Sequence, residues 1–201
     1  MRIALLAVLL AGCSAARAQT TLPPSSSGAI RVGDISHETV ADIAQAAAKQ
    51  IQAGEKELLF VIDSFGGSIF DGLDLIKFLE LQKKRRGLTY TCVVDTSAMS
   101  MGFVFLQAVC DKRLMTKRSI LLAHNGSGAV RGTAEELEKA ASFLRALSDA
   151  MAELCARRLK ITPAEFKAKI AHGDWVFGWE EALQVGAVDG VVDHADLPAD
   201  A

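Results

Sequence analysis

Cysteine is scarce and badly spaced for chemistry. The four cysteines, at 13, 92, 110 and 155 of 201 residues, form no CxxC pair and no His-flanked ligand set, so neither a metal nor a cofactor is expected. Basic blocks are missing too. Lys and Arg number 22 against 24 Asp and Glu, a formal net charge of -2, and no cationic run tracks a phosphate backbone. Nucleic acid is therefore not an expected partner. No apolar run is long enough to span a bilayer. Ile3 to Ala11 is instead the size of a signal h-region, behind the positive Met1-Arg2 start.

Two processing patterns compete in that leader. Ala16-Arg17-Ala18 fits small-x-small cleavage, making residues 1–18 a signal peptide. Leu10-Ala11-Gly12-Cys13 resembles the bacterial lipobox, in which Cys13 would be lipidated and become the new N-terminus. Either pattern implies export, to the periplasm, with a lipid anchor in the second case. Residues 19–28, including the Pro/Ser-rich Thr20 to Gly28, read as a tether. The folded domain is expected over 29–194, with 195–201 a tail. Losing the leader or lipidating Cys13 leaves three cysteines and no complete disulfide framework. Cys92 and Cys110 would pair only in an oxidising compartment, and buried free thiols are the simpler expectation.

What is present is apolar residues, 50% of the chain, arranged in alternating periodicities. Ala29 to Gly33 reads as a strand and Ser36 to Gly54 as a helix capped by Ser36. Leu58 to Ile62 is a continuous apolar run, the mark of a strand buried on both faces. Phe70 to Lys83 has helical spacing. Leu88 to Val94 (strand), Ser100 to Val109 (helix), Arg113 to Thr116 and Ile120 to Ala123 (strands) repeat the pattern. A long helix is expected from Thr133 to Lys160, opened by the Thr133/Glu136 capping box, and a shorter one from Thr162-Pro163. Trp175 to Val188 leads to a last strand at Gly190 to Val192. Alternating strands and helices imply α/β architecture with βαβ units and a mainly parallel sheet. The long helix exceeds what a domain of this size covers, so part of it is expected to pack on another subunit.

Ligand chemistry in such sheets gathers at strand carboxyl ends. Three features end strands here: the turn Asp63 to Ser68, Ser100 at a strand-to-helix elbow, and His124. A serine needs a base to become a nucleophile, and His124 is suited to that task. The imidazole then needs an orienting carboxylate. Asp174 leads, with Asp189 and Asp193 as alternatives. Glycine amides approach an oxyanion unhindered, so the Gly66-Gly67 turn is one candidate donor and the Met101 amide the other.

These residues resemble the ClpP-type serine peptidases, within the ClpP/crotonase fold. Ile62-Asp63-Ser64-Phe65-Gly66-Gly67-Ser68 is similar to that family's strand-Ser-Pro-Gly-Gly turn, with Phe65 in place of proline. Ala98-Met99-Ser100-Met101-Gly102 resembles its nucleophile motif, and Ser119 to His124 its histidine strand. Asp174 to Phe177 with Glu181-Ala182, Gly186 and Val188-Asp189 resembles its closing segment. The match runs from about Ile30 to Asp193.

The resemblance implies a spiral of βαβ units with a long handle helix in the C-terminal half. It assigns Ser100 as nucleophile, His124 as base, Asp174 as orienter, and Gly67 and Met101 as the oxyanion hole. Gly66, Asn125, Gly126 and Gly128 would bind extended substrate; Asn125-Gly126 stands where Gln-Pro is usual. The expected activity is cleavage of peptides or unfolded proteins by a homo-oligomer. The leader and tether, with no axial-loop segment, and a compartment without ATP argue against an ATPase partner. The alternatives are a non-catalytic ClpP-like scaffold, other crotonase-fold chemistry, or a Ser/Lys dyad using Lys139 or Lys160.

Overall fold

The structure is a computed structural model that describes Leu22 and residues 28–198. The leader, Cys13 and most of the tether lie outside the described residues. In chain order the elements are β1 (Ile30–Val32), α1 (His37–Gln52), β2 (Glu57–Ser64), α2 (Ile69–Arg86), β3 (Thr89–Met99), α3 (Met101–Val109), β4 (Lys112–Thr116) and β5 (Ile120–Ala123). Then follow α4 (Ala134–Ala156), α5 (Pro163–Ile170), β6 (Trp175–Phe177), α6 (Trp179–Gln184) and β7 (Gly190–Val192).

The strands form one seven-stranded sheet in the order β1-β2-β3-β4-β7, parallel throughout. Strand β3 is the branch point. Thr91 to Val94 pair with β4, whereas Ser97 to Met99 pair with β5. The fork coincides with an irregularity opposite β2 between Ile62 and Ser64. A bulge bends its strand, and here the bend carries the end of β3 onto a second ladder. The sole antiparallel pairing among the described residues joins β5 to β6, with Ala123 opposite Trp175.

The Leu58–Ile62 run is buried along its whole length. Leu58, Phe60 and Ile62 join the large helix-covered core, and Leu59 joins a smaller cluster on the opposite face with Val93, Leu114 and Val192. Phe60 is gripped edge-on by Tyr90 and Phe105, with ring centroids 5.5 and 5.8 Å away. Truncating it to alanine costs about 3–5 kcal/mol on general precedent.

Local signals place most helix starts. Ser36, Thr133 and Thr162 each cap a helix and close a capping box. The long helix α4 stops at Ala156, earlier than its apolar spacing suggests, because Leu159 turns inward to the core and Arg158 donates to the carbonyls of Cys110 and Asp111. Its 23 residues extend about 35 Å. Only Ala152, Cys155 and Ala156 of α4 are buried, so most of its length is exposed or half-buried in the single chain.

The cysteines correct the expectation of free thiols. Cys92 on β3 and Cys110 at the end of α3 are both fully buried and form a disulfide, their Cα atoms 5.7 Å apart. Cys155 is free and buried.

Candidate active site

Ser100 is the only non-glycine residue with positive φ among the described residues, at φ 52° and ψ -119°. A side chain resists this region, so surrounding contacts must hold it. The Ser100 amide donates to the Leu122 carbonyl on β5, and the Ser100 carbonyl accepts from Val104 within α3. The first bond also fixes the distance to His124, two residues beyond Leu122. The result is a contact of 2.7 Å between Ser100 Oγ and His124 Nε2, with both residues half-buried. A strained serine at a strand-to-helix turn, bonded to an imidazole, is the arrangement of an activated nucleophile.

Glycines bring the β2–α2 turn against this elbow. A Cβ at Gly66, whose φ is 108°, would lie 2.5 Å from the Ser100 Cβ and 3.1 Å from the Met101 nitrogen. At Gly67, φ 134°, it would strike the backbone of Ile35. Two further close approaches escaped the sequence reading. Gly102 admits the Ser64 side chain against α3, and Gly72 admits the Met101 side chain against α2. Both glycines lie inside helices; Gly102 belongs to the nucleophile motif, but neither close approach is marked by a turn.

The amides of the turn are divided with care. That of Phe65 donates to Asp34 Oδ1 at 2.7 Å, and that of Gly66 to Ser64 Oγ at 3.1 Å. Ile35 takes the Ser68 amide and donates to the Gly66 carbonyl. The Gly67 amide between them has no acceptor among the described residues. Met101, as the first residue of α3, has an amide with no intrahelical acceptor. Two N–H groups without an acceptor among the described residues thus lie on the turn and on the elbow that meet at Ser100, and an oxyanion needs such donors.

Asp174 lies opposite His124. The β5–β6 ladder pairs Ala123 with Trp175, and one further step sets His124 across from Asp174. The Asp174 carboxylate is exposed and makes no hydrogen bond to the imidazole in this structure. The two alternative acids are elsewhere. Asp189 binds Arg113 through both oxygens, at 2.6 and 3.2 Å. Asp193 precedes the short turn His194–Asp196 beyond β7, near Asp95 and Lys117. Lys139 is exposed on α4 and Lys160 packs beside Gly186; neither lines the cavity at Ser100.

The segment after His124 is fastened to the helices. Asn125 donates its side-chain amide to the Ile170 carbonyl at 3.0 Å, and the Gly126 amide donates to Ser148 Oγ at 3.2 Å. Gly128 is exposed. Beside the Ser100–His124 pair an apolar cavity opens, walled by Ile69, Val104, Met151, Ala152, Phe166 and Ile170. Cys155 also lines it, but burial pushes its thiol up to about 12, so it stays protonated and is no rival nucleophile. Among the described residues no cluster of three or more His, Cys, Asp or Glu could hold a metal ion.

Comparison with known proteins shows the family of the chain. Residues 26–195 match the Clp protease family. The chain belongs to that family. Membership identifies it as a peptidase in kind. Among its relatives, an ATP-dependent Clp protease proteolytic subunit of Deinococcus radiodurans is 30% identical over 153 residues, covering 76% of this chain and 72% of that protein. The ATP-dependent Clp protease proteolytic subunit 1 of Bacillus cereus is 29% identical over 154 residues, covering 75% and 76%. Subunit 2 of Bifidobacterium longum is 30% identical over 146 residues, covering 71% and 67%.

Proposed function

We propose that this Clp-family chain is an exported, ATP-independent serine peptidase that cleaves short peptides or unfolded proteins through an acyl-enzyme. The observation that carries the reading is the 2.7 Å contact between Ser100 Oγ and His124 Nε2. In the proposed mechanism His124 takes the Ser100 proton as Oγ attacks the scissile carbonyl. The Gly67 and Met101 amides bind the oxyanion, and His124 then returns the proton to the leaving amine. Water repeats the cycle to release the acyl group.

Asp174 is the proposed orienter of His124. Support comes from its register opposite the histidine and from the engagement of Asp189 with Arg113. Its carboxylate would close on the imidazole when substrate or a neighbouring subunit orders the loop, since catalytic hydrogen bonds are often long before substrate binds. The apolar cavity beside Ser100 favours an apolar residue on the acyl side of the cleaved bond. Gly66, Asn125, Gly126 and Gly128 are the proposed rim of the substrate groove.

Export is supported by the leader pattern and by the buried Cys92–Cys110 disulfide, since such bonds persist in oxidising compartments. A Cys13→Ala variant should leave the membrane fraction if Cys13 is lipidated. A homo-oligomer is supported by the apolar side chains that α4 leaves exposed, with Phe143 58% and Leu137 43% exposed.

The test is hydrolysis of fluorogenic peptides by the purified protein without ATP. Peptides with Leu or Phe before the scissile bond should be cleaved, those with Asp or Lys there should not, and Ser100→Ala should abolish turnover. Turnover that survives Ser100→Ala, or that needs an added ATPase and ATP, would contradict the proposal.

A further inference from the structure

The free Gly67 amide depends on a turn with little stiffness of its own. Gly66 and Gly67, at φ 108° and 134°, occupy conformations that glycine enters without a steric barrier. Their hold comes from outside. Ile35 braces the Gly66 carbonyl and the Ser68 amide, and Ser64 Oγ takes the Gly66 amide from below, fully buried. The remaining freedom is the peptide plane entering the turn, which carries the Phe65 N–H. Two side chains hold it: Ser97 Oγ donates to its carbonyl edge, the Ser64 oxygen, at 3.4 Å, and a shorter bond holds its N–H edge. Asp34, on the loop after β1, accepts that amide at 2.7 Å through Oδ1. The register explains the reach: Val32 pairs with Ile62, so Asp34 lies level with Ser64.

We propose that Asp34 is a positioning residue that aims the Gly67 amide at the oxyanion by pinning the Phe65 peptide plane. The assignment rests on the peptidase reading above. Asp34 touches neither substrate nor the reacting atoms. Its effect should fall on kcat, because a misaimed donor weakens the transition state and leaves substrate binding largely intact. The bond is exposed, so the effect is smaller than loss of a donor: roughly tenfold, against the hundredfold or more seen when an oxyanion donor is removed. The backbone carbonyl of Asp34, which accepts from Thr39 Oγ1, is untouched by side-chain substitution.

Three variants and two readouts test this. Asp34→Ala should lower kcat for an apolar fluorogenic peptide about tenfold with KM changed less than about twofold. Asp34→Asn retains an accepting oxygen without the charge and should stay near wild type. Phe65→Pro has no amide to hold, so adding Asp34→Ala to it should change kcat by less than about twofold. Hydrogen exchange supplies the second readout, independent of turnover: the Phe65 and Gly66 amides, which are bonded in the wild type, should exchange faster in Asp34→Ala, with the melting temperature little changed.

Asp34→Ala that matches wild type in kcat and exchange overturns the assignment. So does Asp34→Asn as impaired as Asp34→Ala, or an equal loss in the Phe65→Pro background. If Phe65→Pro is itself inactive, the Asn comparison decides. If the wild type turns over no peptide, the peptidase reading fails, and exchange at the turn still decides whether Asp34 pins it.

Discussion

Gly66 sits so close to Ser100 that a single added methyl would meet the serine Cβ at 2.5 Å. The turn and the elbow are therefore one unit, although 33 residues (100 − 66 − 1) separate them in sequence. Gly66→Ala should push the two apart and force a side chain into φ 108°. We expect activity to fall by on the order of a hundredfold, as for loss of an oxyanion donor, and stability to drop by about 1–3 kcal/mol. Steady-state kinetics with denaturant unfolding checks both.

The disulfide joins residues 18 apart across the β3–α3 unit that carries the nucleophile. Closing a loop of this size stabilises a domain by roughly 3 kcal/mol in the chain-entropy picture. Cys110→Ala should lower the melting temperature by several degrees. Counting thiols in the denatured, unreduced protein from Cys92 onward should find Cys155 alone, by alkylation and mass spectrometry.

Acid sensitivity is expected at Asp189. Burial raises its carboxyl pKa, but the hydrogen bonds and charge of Arg113, helped by Arg158, outweigh burial and hold it below the ordinary value. A depressed folded-state pKa contributes stability that is present above the unfolded-state value, about 3.9, and lost as pH falls through the lower folded value. Unfolding at pH 2–5 should show this loss, and Asp189→Asn should flatten it. Asp189→Ala also strands the buried Arg113 guanidinium, 3% exposed, and should cost about 3 kcal/mol or more at neutral pH.

The exposed apolar face of α4 predicts assembly. Phe143 stacks on Phe70 at 6.4 Å, and both rings are mostly exposed in the single chain. Leu137→Asp with Phe143→Asp should lower the mass seen by sedimentation while leaving the fold intact by circular dichroism. An unchanged mass would count against packing through this face.

Much of the framework was legible because its signals are local. The apolar run at β2 and the caps Ser36, Thr133 and Thr162 each act within a few residues, and each lies where its pattern indicates. Ser100 and His124 were legible as strand-end residues. What escaped depends on pairs distant in sequence. Cys92 meets Cys110 only because α3 returns along β3. Asp34 reaches Phe65 only through the β1–β2 register. Strand β6 is three residues long, too short for a period to show, and its antiparallel pairing is what sets Asp174 opposite His124.

The central claim is that Ser100 is a nucleophile activated by His124. Treating the purified protein with a fluorophosphonate probe and mapping the adduct by mass spectrometry tests it most directly. The account predicts modification at Ser100, abolished in Ser100→Ala and strongly slowed in His124→Ala. An unlabelled wild type, or labelling that persists in both variants, would contradict it.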